Sequence, residues 1–125
     1  PLGECDILFS FEELEAARYV QYLKKDAVVI INRYRLSPPS VISGKEPYPD
    51  VLPILREKTD RIVIVDGSRI ADEMGNPKGV NIILLGKLST YLEADEALWT
   101  LTMNDMLKEK IRAANIEGFK RGRQA

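Results

Sequence analysis

This chain has no histidine and a single cysteine, Cys5, in 125 residues. Without imidazole or paired thiols the common zinc and haem ligand sets cannot be assembled, no internal disulfide can form, and a serine or cysteine triad has no ordinary base. Cys5 therefore reads as a small buried hydrophobe, and no metal site is expected. Long apolar runs are missing too: "AVVII" and "IILL" are far too short to cross a bilayer, and no charged-then-apolar leader opens the chain. These features predict a soluble, cytoplasmic protein without a membrane partner. Nor does one sign of charge dominate, since 18 basic side chains face 19 acidic ones, so no global field recruits nucleic acid. Lys108, Lys110, Arg112, Lys120, Arg121 and Arg123 alternate with acids, as on a solvated helix face. No G-x-G-x-x-G or P-loop follows any apolar run, so neither a dinucleotide nor a nucleotide site is indicated.

What is present is a core-forming share of apolar residues, 45%, in a length suited to a single domain over residues 1–125. "DILFS" (6–10) reads as a strand, and Ser10 with Glu13 forms a capping box for a helix running to about Asp26. Its apolar stripe is Leu14, Ala17, Val20 and Leu23. "AVVIIN" (27–32) is a β-branched run suited to a strand covered on both faces, which makes a right-handed strand–helix–strand crossover. Between Arg33 and Pro49, four prolines predict a long loop. Asp50 then caps a helix with Pro53 in its first turn, "RIVIV" (61–65) is another buried strand, and Ser68 caps a short helix through Met74. Gly75-Asn76-Pro77 reads as a stop and fresh start. The segments 92–99 and 104–122 predict two more helices, the last with Leu107, Ile111, Ala114 and Gly118 on one stripe. Alternating strands and helices predict a three-layer α/β/α domain with a largely parallel sheet.

Ligands of open parallel sheets bind beyond the carboxyl ends of the strands, which singles out Ser10 to Glu13, Asn32 to Arg35, and Asp66 to Arg69. Arg33 and Arg35 have the fork geometry to clamp a carboxylate or phosphate, although solvated loop arginines are the plainer account. Asp66 and Ser68 offer ligand-orienting oxygens, although helix capping explains Ser68 equally. Gly79 and Gly86, seven apart, fall on one side of a helix beginning near Lys78. Each costs about 1 kcal/mol of helix propensity relative to alanine, so both predict close approach by the sheet, a neighbouring subunit or a ligand.

Across nearly the whole chain, "DILFSFEELEAARYVQYLKKDAVVIIN", "GNPKGVNIILLGKLS" and "IRAANIEGFKRG" stand in the order and spacing found in gamma-type domains of 2-oxoacid:ferredoxin oxidoreductases, which the sequence resembles. Within that family, the "YP" at 48–49 and "DGSRIADEMGN" are most similar to the branch acting on indolepyruvate. The resemblance implies an accessory subunit for oxidative decarboxylation of a 2-oxoacid to its acyl-CoA, with ferredoxin as indirect partner. It places thiamine diphosphate and the iron–sulfur clusters on a large catalytic partner subunit, with coenzyme A as co-substrate and no cofactor on this chain. It also implies structural or interface roles for Glu12, Asn32, Gly75, Asn76, Asn81, Gly86, Asn115 and Gly122. Family domains begin with a strand and a G-x-G-G-Q-G turn that these residues lack, so the resemblance covers the C-terminal part of such a domain. Competing readings are a free-standing α/β module binding a small anion through Arg33 and Arg35, and a homodimer built on the glycine-bearing helix.

Overall fold

The computed structural model describes residues 1–34, 42–45 and 47–125. The chain divides into two compact units, Pro1–Ile64 and Val65–Ala125. In the first, β-branched runs form the strands that the sequence predicts. These are β1 (Cys5–Ser10), β2 (Leu23–Asn32) and β3 (Ile62–Val65), in the order β1-β2-β3. β1 and β2 are parallel, with Ile7 opposite Val28 and Ser10 opposite Ile31. β3 runs the same way: the Asp26 amide donates to the Lys58 carbonyl and the Val29 amide to that of Arg61, so both partners advance together. A parallel sheet with helices is the architecture of a three-layer α/β domain, as expected.

Residues 27–32 of β2 are all buried, which agrees with a strand covered on both faces. Side chains alternate along a strand, so Ala27, Val29 and Ile31 share one face. There they cluster with Ala16 of α1 (Glu13–Arg18) and with Val51 and Leu55 of α2 (Val51–Arg56). Thr59 is 2% exposed and clips the approach to β3 onto β2. Its hydroxyl donates to the Ala27 carbonyl at 2.6 Å and accepts from the Arg61 amide at 3.0 Å.

The first helix is shorter than its apolar periodicity suggests. It ends at Arg18, a 3-10 turn spans Val20–Tyr22, and Leu23 already belongs to β2, fully buried and opposite Cys5. Strand pairing takes the backbone of residues 23–26 that periodicity assigns to the helix, an override of local preference by tertiary hydrogen bonds. The cap also differs: Glu12, not Ser10, is the N-cap, its side chain accepting from the Glu15 amide. An irregularity lies between Cys5 and Ile7 of the ladder, and on the facing stretch of β2 Asp26 adopts a φ of 63°, a left-handed conformation that aspartate tolerates better than most residues.

The second unit is helical after Val65. Asp66, rather than Ser68, caps α3 (Gly67–Glu73) by accepting from the Arg69 amide, because the helix begins one residue before Ser68. Gly75, at a φ of 69°, ends it as the sequence predicts: the Asn76 amide reaches the Ala71 carbonyl and the Gly75 amide that of Asp72, a Schellman closure. Three further helices follow, α4 (Val80–Ser89), α5 (Glu96–Met106) and α6 (Glu109–Gln124). The break between the last two falls at Leu107–Lys108, where Leu107 turns extended, and not within 100–103 as the sequence suggests.

Gly79 and Gly86 do not share a helix side. Gly79 is the N-cap of α4, and a Cβ there would meet mainly the Asn76 side chain, 2.8 Å from its amide nitrogen. Gly86 packs on α6. A Cβ at Gly86 would lie 2.1 Å from the Phe119 carbonyl oxygen, and one at Gly122 would lie 1.8 Å from that of Ile83. Each glycine thus admits the other helix's backbone. The buried side of α6 is accordingly Gly118, Phe119 and Gly122, while Ile111 and Ala114 of the expected stripe are exposed. Ser89 reinforces the crossing: its hydroxyl donates to the Gly86 carbonyl at 2.6 Å and accepts from Arg123 at 2.8 Å. Trp99 of α5 lies over Phe119, with ring centroids 5.5 Å apart.

Because both clashes are with backbone atoms, Gly122→Ala and Gly86→Ala should each cost about 3 kcal/mol or more, as severe overpacking does. Gly75→Ala meets no atom within 4 Å and should cost only the left-handed backbone penalty, about 1–2 kcal/mol. Urea midpoints of the three variants test this ranking, and equal losses would contradict it.

Candidate functional site

At the carboxyl end of β1 the chain turns sharply. The Ser10 hydroxyl donates to the Glu12 carbonyl at 2.7 Å and accepts from the Glu12 amide at 3.4 Å, a local serine turn. The turn sends consecutive side chains opposite ways: Phe11 is 45% exposed, whereas Glu12 is only 9% exposed. Burial of an acidic side chain is costly unless its oxygens are satisfied. Both are: one accepts from the Glu15 amide at 2.7 Å, the other from the Tyr48 hydroxyl at 2.8 Å. Asn32, buried at the corresponding end of β2, donates through its side-chain amide to the Phe11 carbonyl at 3.3 Å. The Glu13 amide donates to the Tyr34 carbonyl at 2.9 Å, so the segments leaving both strands are tied together.

Beside this knot lies an open cavity of about 410 Å³, lined by Leu8, Phe9, Ser10, Phe11, Glu12, Glu15 and Tyr19. Phe9 meets Phe11 edge-on, with centroids 5.1 Å apart at 62°. The lining is chiefly apolar, with Glu12 and Glu15 as its charged members. Among the described residues no group of three or more His, Cys, Asp or Glu side chains is placed to hold a metal ion. An iron–sulfur cluster is held by several thiolates, and Cys5 is the one cysteine of this sequence, so these residues do not fit such a group. Among the described residues no helix is long and apolar enough to cross a membrane.

Of the residues singled out by sequence, Glu12 and Asn32 are brought together here. Arg33 is exposed just past β2, and Arg35 lies outside the described residues. Asp66 and Ser68 belong to the start of α3, where Asp66 acts as a cap. The Asn76 carbonyl accepts from the Gly79 amide at 2.9 Å, and Asn81 is exposed on α4. Asn115 spends its side-chain amide on the Ile111 carbonyl of its own helix, 2.9 Å away. Phe11 lies within the stretch Ser10 to Glu13 that the sequence singles out, whereas sequence reasoning missed Tyr19 and the Glu12–Tyr48 bond. A hydroxyl supplied from 36 residues downstream, across a proline-rich segment, leaves no local signal.

Burial, helped by the hydrogen bond to Glu12, pushes the Tyr48 phenol up from 10.0 to about 12. A group whose pKa is raised by folding stabilises the fold fully below its unfolded pKa and loses that contribution as pH climbs through the folded value. The stability supplied by Tyr48 should therefore hold to about pH 10 and vanish between about pH 10 and 12. Urea midpoints from pH 9 to 12 should converge for the parent chain and Tyr48→Phe, and a constant gap over that range would contradict the assignment.

Comparison with known proteins follows the same residues. The "Indolepyruvate oxidoreductase subunit IorB" of Archaeoglobus fulgidus is 32% identical over 127 residues, covering 98% of this chain and 63% of that protein. The protein of the same name from Pyrococcus horikoshii is 36% identical over 93 residues, 71% of this chain and 46% of that one. The chain thus spans less than two thirds of the length of these curated relatives. The family model described as pyruvate ferredoxin/flavodoxin oxidoreductase matches residues 1–125 throughout, strand-end knot and glycine crossing included, and to that family the chain belongs.

Proposed function

We propose that this chain is an accessory subunit of a thiamine-dependent 2-oxoacid:ferredoxin oxidoreductase, with indolepyruvate or another aryl pyruvate as substrate. In that reaction a 2-oxoacid and coenzyme A give acyl-CoA and CO2, and the electrons released reduce ferredoxin. Thiamine diphosphate and the iron–sulfur clusters reside on a large catalytic partner in the cytoplasm, and this chain is inactive alone. The observation that carries the reading is the alignment of 98% of the chain at 32% identity with a protein named as an indolepyruvate oxidoreductase subunit. The family match over residues 1–125 supports treating the two compact units as one domain of that subunit. An acid-rimmed cavity and a sequence without histidine agree with a role in assembly rather than in the chemical step. A free-standing anion-binding module has weaker support, since Glu12 and Glu15 border the cavity at the end of β1.

Affinity capture of the tagged chain from its native cell extract tests this reading. A large partner in fixed stoichiometry, carrying thiamine diphosphate and iron and reducing ferredoxin with an aryl pyruvate, is the expected result. Capture of no cofactor-bearing partner would overturn it.

A further inference from the structure

We draw no further inference here: the strongest candidate, the exposed apolar face of α5 that carries Leu98 and Leu101, is a surface for which nothing in the structure shows what covers it.

Discussion

The parallel ladder between β1 and β2 is the constraint from which the rest of the first unit follows. Its register sets Ser10 beside Ile31, so both strands end at the same edge and the chain must turn there twice. At such an edge backbone donors run out, and the groups that replace the ladder decide the local shape. Ser10 closes one turn, Asn32 holds the Phe11 carbonyl, and Glu12 satisfies the start of α1 while receiving Tyr48. A buried acid with both oxygens satisfied fixes geometry more firmly than an apolar contact, because displacing any partner leaves a costly orphan. The cavity walls inherit that rigidity.

In the second unit a contact of opposite character does the equivalent work. Gly86 and Gly122 supply nothing but the absence of a side chain, and that absence lets carbonyl oxygens of the facing helix enter. The backbones can then pack with dispersion contacts that any Cβ would forbid. Ser89 and Arg123 add polar links around the same crossing. Both devices hold backbone segments in place.

The chain belongs to the pyruvate ferredoxin/flavodoxin oxidoreductase family. The features carried over from the resemblance divide physically. Glu12, Asn32, Gly75, Gly86 and Gly122 each meet a demand of this fold: a buried acceptor, a buried donor, a left-handed turn, and two backbone approaches. Asn81 and Asn115 meet none of comparable weight, being exposed and bonded within its own helix respectively.

The sequence by itself determined the strands, the parallel crossover, the stop at Gly75 and the family, because these rest on local patterns: β-branched runs, a glycine that tolerates positive φ, and motif order. It also singled out Gly86 as a place of close approach. What approaches it was decided by tertiary structure alone, since Phe119 lies more than thirty residues away along the chain and no periodicity reports a crossing. The same holds for the end of the first helix, where pairing of Leu23 with Cys5 overrode an apolar stripe, and for the bond from Tyr48 to Glu12. Short-range patterns encode what a segment prefers, whereas the hydrogen bonds and backbone approaches that join distant segments exist only once the chain has closed around them.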